Sequence, residues 1–141
     1  MSDISVPPGW RIVKANGFMA HIGPLLCANA DGVEKVFALQ TTDVHSNHIG
    51  LVHGGVLTSL LDQAIAIVAW NAANRHPVVT IQMDTQFLAA AKAGEFLEAR
   101  PRIRHAAGSL MFVEADLTCG STTVAIASAI MKKFSTRGAS Q

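Results

Sequence analysis

Charge is scarce in this sequence: 15% of the residues are charged, 50% are hydrophobic, and the formal net charge is +1. So lean a surface leaves apolar area that one core does not hide, and a subunit interface is the simplest cover for it. The near-neutral balance excludes a dedicated nucleic-acid binder, which needs a basic patch. Basic residues are scattered, apart from Arg100, Arg102 and Arg104 and the pair Lys132-Lys133. Cysteine is scarce as well. Cys27 and Cys119 stand far apart in strand-like contexts, without a CxxC spacing, which argues against a disulfide framework. Buried free thiols in a reducing, cytoplasmic compartment are the expectation. Residues 1–9 show no basic run followed by an apolar one, so no signal peptide is read there. No internal repeat or low-complexity segment occurs.

What is present fits one domain of 141 residues, large enough for a sizeable core. The chain divides into an N-terminal arm at 1–21, a domain at 22–134 and a flexible tail at 135–141. Within the arm, Trp10, Val13 and Phe18 suggest a short helix over Trp10–Met19. Pro24–Ala30 and Val33–Thr42 read as strands joined by a hairpin at Asp31-Gly32. Asp43–Val52 is a loop by composition. After residue 77 the pattern turns to period 2, giving strands over Val78–Leu88, Glu95–His105, Ser109–Cys119 and Thr122–Phe134. In the first of these, Val79, Ile81, Met83 and Thr85 alternate with Thr80, Gln82, Asp84 and Gln86. Ala106-Ala107-Gly108 and Gly120-Ser121 are short links suited to antiparallel neighbours. Pro101 lacks a donor, so an edge or a bulge is expected around it. The fold class is therefore α+β: an antiparallel sheet of about six strands on one long helix.

That helix begins at His53-Gly54-Gly55, and Pro77 marks its end by biasing His76 away from helical angles. Leu57, Leu60, Leu61, Ala64, Ile65 and Val68 form a broad apolar stripe at helical spacing. Gly55, Thr58, Asp62, Ala66, Ala69 and Ala73 share an adjacent face of small residues. Small side chains allow another backbone close, so this face is expected to meet protein. A transmembrane assignment for His53–Ala73 fails on Asp62, since a central Asp costs about 2.5–3.5 kcal/mol in a membrane helix. Glycines at a helix start leave N–H groups uncovered where the dipole is positive, which suits an anion or a polarised carbonyl. A carboxylate inside an apolar helix is costly unless it is paired or used.

The run Asn47-x-x-Gly50-x-x-His53-Gly54-Gly55, with Asp62 seven residues on, resembles the hotdog-fold acyl-CoA thioesterases of the PaaI-like group. Ile22-Gly23-Pro24-Leu25 and Ala91-Lys92-Ala93-Gly94-Glu95 add to the resemblance, which spans roughly 22–134. It implies a hotdog fold and hydrolysis of an aromatic or medium- to long-chain acyl-CoA, with no cofactor and no metal. It further implies a homodimer, assembled as a dimer of dimers (homotetramer), with no nucleic-acid or membrane partner. The N–H of Gly54, or of Gly55 beside it, would bind the carbonyl oxygen. Asn47 would orient the carbonyl or the water, and Asp62 would act as base or nucleophile in a site shared with a neighbouring subunit. Thr80 matches a position that holds the water, and His53 shapes the turn and contacts the thioester. The pantetheine arm would meet Gln82, Phe87, His105, Gly108, Ser109 and Leu110, with Arg102, Arg104 and Lys132-Lys133 near the CoA phosphates. Leu57, Leu61 and Val78 would touch the acyl group.

Plainer readings stand beside these. Asn47 also reads as a common turn-capping residue, Gly54 and Gly55 as serving only close packing, and Asp62 as the partner of a structural arginine across an interface. Thr80 is an ordinary strand residue. His45, His48 and His53 lack metal-ligand spacing and read as turn and surface histidines. Ser59 lacks a nucleophile-elbow setting, and Met83, Met111 and Met131 read as core filling. A hydratase or dehydratase of acyl thioesters, or a non-catalytic acyl-CoA-binding module, are the alternatives on the same fold.

Overall fold

The computed structural model describes residues 5–30 and 34–134. In chain order these form β1 (Arg11–Ile12), α1 (Phe18–Ile22), β2 (Leu26–Ala30), β3 (Glu34–Gln40), a 3-10 turn (Asp43–His45), α2 (Gly54–Ala72), β4 (Val78–Phe87), β5 (Phe96–Ala107), β6 (Leu110–Cys119) and β7 (Thr122–Lys133). The strands make one seven-stranded sheet in the order β1-β2-β3-β5-β6-β7-β4. Every pairing in it is antiparallel. The sheet wraps α2, which is the hotdog arrangement with one strand more than expected.

The extra strand replaces part of the expected helix. Arg11 and Ile12 pair with Cys27 and Leu26, and the Val13 N–H continues the ladder to the Leu25 carbonyl at 2.8 Å. Backbone pairing with a neighbouring strand outweighs weak helical periodicity, and α1 begins only after Gly17, at φ 67°. Strands β2 and β3 pair as a hairpin should, from Leu26↔Ala38 to Ala30↔Glu34. The expected turn at Asp31-Gly32 and the tail at 135–141 lie outside the described residues.

Between β5 and β6 the link is shorter than expected, because Ala106 and Ala107 belong to β5 and only Gly108-Ser109 turns. Gly108 takes φ 61°, the sign a type II′ hairpin turn needs at its first central residue. Pro101 pairs with Ala115 of β6, whereas pairing of β5 with β3 ends at Ala99. Its missing donor therefore falls where β5 has become an edge on one side.

The core forms where the apolar stripe of α2 meets the inner faces of β5, β6 and β7. Leu57, Leu60, Leu61, Ala64 and Ile65 are buried against Leu97, Val113, Leu117 and Met131. Alanines at 99, 115, 125, 127 and 129 on those strands let the helix lie close. Gly54–Ala72 is long and apolar enough to cross a membrane, but its apolar side is occupied by the sheet. The face of small residues is split: Ala69 and Ala73 are buried by this chain, while Thr58, Asp62 and Ala66 remain half-open. The helix stops at Ala72, before the influence of Pro77, where Asn74 and Arg75 adopt left-handed φ of 56° and 65°. Both cysteines are free. Burial, then the nearby Glu95 carboxylate, push the Cys119 thiol up from its ordinary value.

Candidate active site

The site begins with the loop that delivers α2. Asn47 folds it: its Oδ1 accepts from the Ile49 N–H at 2.9 Å and the Leu51 N–H at 3.1 Å, and its own N–H donates to the Leu51 carbonyl at 2.7 Å. The turn-capping use of Asn47 is thus real. Asn47 also lines a groove of about 370 Å³ beside Gly54, Leu57 and Phe87. His45, read from sequence as a turn or surface residue, is in fact buried. Its Nδ1 accepts from the Thr42 N–H at 2.9 Å, and Nε2 donates to the Ile22 carbonyl at 2.6 Å. The His45 carbonyl then accepts the His53 N–H at 2.8 Å. His45 therefore staples the helix approach to the N-terminal segment.

His53 caps α2. Its Nδ1 accepts from the Gly55 N–H at 2.8 Å, and its carbonyl accepts from the Val56 N–H at 2.9 Å. Such a cap satisfies one orphan donor of the first turn. This decides between the two glycines. The Gly55 N–H is occupied, whereas among the described residues the Gly54 N–H has no acceptor, and Gly54 lines the groove at the positive end of the helix. A Cβ at Gly55 would come within 3.0 Å of the capping Nδ1, while one at Gly54 would make only ordinary contact with the Phe87 ring at 3.6 Å.

Asp62 lies half-buried on α2, and the Thr80 hydroxyl donates to its Oδ1 at 3.0 Å. Among the described residues no ion pair involves Asp62, so no described arginine accounts for it. The Thr80 contact depends on a feature the alternation of β4 concealed. Thr80 pairs with Met131 and Gln82 pairs with Ile130, which leaves Ile81 as an extra residue, a β-bulge. The bulge reverses parity. Thr80 joins Met83, Thr85 and Phe87 on the face toward α2, whereas strict alternation places it with Gln82 on the outer face.

The described chain does not bring all the expected site residues together. Gly54 and Asp62 are more than two helical turns apart, about 12 Å along the axis. Phe87 lies beside Gly54, but His105, Gly108, Ser109 and Leu110 lie at the opposite end of the sheet. There Leu110 pairs with Lys132, and Lys132 with Val79. Gln82 lines an outer-face hollow of about 260 Å³ with Asp84, Arg104 and Phe112. Arg102 is held by Glu114 at 3.2 Å and Asp116 at 3.5 Å, and Arg104 lies 3.7 Å from Glu114. These arginines are half-neutralised by their own sheet. Among the described residues no cluster of three His, Cys, Asp or Glu is placed to hold a metal ion.

The pattern that defines the thioesterase superfamily matches residues 49–126, from the loop before α2 into β7. The chain belongs to the thioesterase superfamily. It is a thioester hydrolase. A Pseudomonas aeruginosa protein named "Putative esterase PA0474" is 29% identical over 129 residues, covering 90% of this thioesterase and 96% of that protein. Human "Acyl-coenzyme A thioesterase 13" is 25% identical over 116 residues, 82% of this chain and 83% of that one. The Escherichia coli PaaI structure shares the fold, with a TM-score of 0.73 at 22% identity, covering 85% and 86% of the two chains. In this thioesterase, sequence reasoning missed the buried His45 and the bulge at Ile81. No signal in the sequence marks the bulge, because apolar Val79 and Ile81 flank polar Thr80 just as strict alternation would have them.

Proposed function

We propose that this thioesterase hydrolyses acyl-CoA thioesters, aromatic or aliphatic, in a site assembled from two copies of the chain. The observation that carries the reading is the separation of the free Gly54 N–H from the Asp62–Thr80 pair: each half lacks what the other holds. Pairing the free edges of two β4 strands about a two-fold axis would run the two α2 helices antiparallel. That would set the N–H of one copy opposite the carboxylate of the other. Strand β4 is an open edge, with Val79 44%, Ile81 54%, Phe87 54% and Leu88 56% exposed, and an apolar edge of this kind favours pairing. The low surface charge favours a further dimer of dimers. Two free cysteines suit a cytoplasmic location.

In the reaction, Asp62 takes a proton from water as the oxygen attacks the carbonyl carbon. The oxygen of the tetrahedral intermediate is held by the Gly54 N–H of the partner subunit. Collapse expels the CoA thiolate, which takes up a proton, and leaves the free acid. Thr80 holds Asp62 in place, Asn47 shapes the groove that receives the carbonyl, and His53 spends its ring on the cap rather than on proton transfer. Gln82, Phe87, His105, Gly108, Ser109 and Leu110 contact the pantetheine arm, drawn from both copies. This chemistry asks for no metal or redox cofactor.

Thiol release from a panel of acyl-CoAs tests the reading. Turnover by wild type is expected, and binding without release would replace it with a non-catalytic binding module, or with a hydratase if an enoyl thioester gains water. A single turnover in heavy-oxygen water tests for a nucleophile: the base mechanism puts the label in the acid, whereas label in the protein requires an anhydride of Asp62 that water opens at the Asp62 carbonyl. Sedimentation should find two or four chains at assay concentration, and a fully active monomer would end the shared-site reading.

A further inference from the structure

A groove of about 630 Å³ opens between α2 and the segment Val13–Met19, and the chemistry above does not use it. Its floor is Gln63, Ala66, Ile67 and Trp70, and Pro77 and Val78 close one side. Asp62 and Thr80 do not line it, but its near end adjoins them: Gln63 follows Asp62 on α2, and Val78 lies on the same face of β4 as Thr80. It ends at Trp70, whose Nε1 donates to the Arg75 carbonyl at 3.0 Å and whose ring lies 4.8 Å from the Arg75 guanidinium. A tryptophan held by both a hydrogen bond and a cation–π contact makes a fixed end wall. The facing wall is anchored too: β1 pairs with β2, and the Trp10 ring packs edge-on against Phe96 at 5.4 Å. Lys14 stands exposed at the rim.

We propose that this groove is the acyl subsite, and that it takes an uncharged apolar acyl group no longer than two turns of α2, about 11 Å. The inference rests on Asp62 being the base of the thioester site. The carbonyl carbon must lie within reach of the water that Asp62 holds, so the acyl part leaves from that point. The apolar space that begins there is this groove, and its volume is that of a small-molecule pocket. Phenylacetyl and octanoyl groups fit its length, and a palmitoyl chain meets Trp70. The structure thereby assigns Trp70, pinned by Arg75, as the residue that sets chain length.

Two measurements test this together. The first compares kcat/KM for propionyl-, phenylacetyl-, octanoyl- and palmitoyl-CoA in wild type, Ala66→Phe and Trp70→Ala, each checked for folding by circular dichroism. Ala66→Phe fills the floor and should lower the octanoyl-to-propionyl ratio about tenfold. Trp70→Ala opens the end and should raise the palmitoyl-to-octanoyl ratio by about the same factor. The second uses Trp10→Phe, which leaves Trp70 as the sole tryptophan of the two. The non-hydrolysable thioether analogue of octanoyl-CoA should shift Trp70 emission to the blue, and CoA alone should not. Hydrolysis with unmoved ratios and no emission shift overturns the groove and leaves the thioesterase reading standing. An emission shift without hydrolysis by wild type keeps the groove and removes the reading of Asp62 as base. Neither hydrolysis nor shift removes both.

Discussion

The start of α2 and the middle of β4 both serve the site, and they are built by different means. At the helix start everything is local: His53 caps Gly55 two residues away, and Asn47 binds the N–H groups of Ile49 and Leu51. The functional group left over is a backbone N–H, and a helix end supplies one without any special side chain. On β4 the functional contact joins residues 18 apart in sequence, Thr80 and Asp62. It exists only because one extra residue, Ile81, rotates the strand against β7. The first region is held by turns and caps, the second by register. Local construction tolerates distant change, whereas a register-dependent contact is lost to a single insertion or deletion along the strand.

Four substitutions break or sharpen that contrast. The largest effect is expected for Asp62→Ala, which should lower kcat/KM by about a hundredfold or more while the melting temperature holds, since no buried partner charge is left behind. Next is Gly54→Pro. Proline suits the first position of a helix, and His53 already has the extended angles, φ −61° and ψ 136°, that a residue before proline prefers. The change removes the free N–H and little else, and should cost about a hundredfold in kcat. Gly54→Ala keeps the donor and should retain most of that rate, so equal losses in the two variants would rule out the N–H as the oxyanion donor.

Thr80→Ala comes third. It removes the hydroxyl that the bulge at Ile81 aims at Asp62. A lost hydrogen bond to a charged group is worth about 1.5–3 kcal/mol, so kcat/KM should fall by roughly tenfold to a hundredfold. Thr80→Ser keeps the hydroxyl and should retain most of the rate. If Thr80→Ala leaves activity intact, Thr80 does not position the base. The smallest effect is His53→Ala, which removes the cap and should cost about 1 kcal/mol of stability, read from the thermal midpoint. Its kcat should change far less than that of Gly54→Pro, and a loss of similar size would make His53 a participant in the chemistry.

The site was legible in the sequence to the extent that it is local. The His53-Gly54-Gly55 helix start, the apolar stripe from Leu57 to Ile65 and the single inward carboxylate Asp62 all follow from spacing over one or two turns. Which glycine keeps a free N–H did not follow, because it depends on where the His53 ring turns. His45 looked like a loop histidine, since its acceptor is the carbonyl of Ile22, far back in the chain. The strand at Arg11–Ile12 was misread as helix for a related reason: its partner is β2, and a segment this short has no periodicity of its own.

By itself, then, the sequence determined the hotdog layout and the chemical types at its centre, since helix starts, stripes and tight turns arise from interactions within a few residues. Tertiary structure alone decided that β4 is the open edge and that Ile81 bulges and aims Thr80 at Asp62. Those outcomes depend on how β4 packs against β7 and α2, where each register is chosen by the whole inner face rather than by its neighbours in the chain.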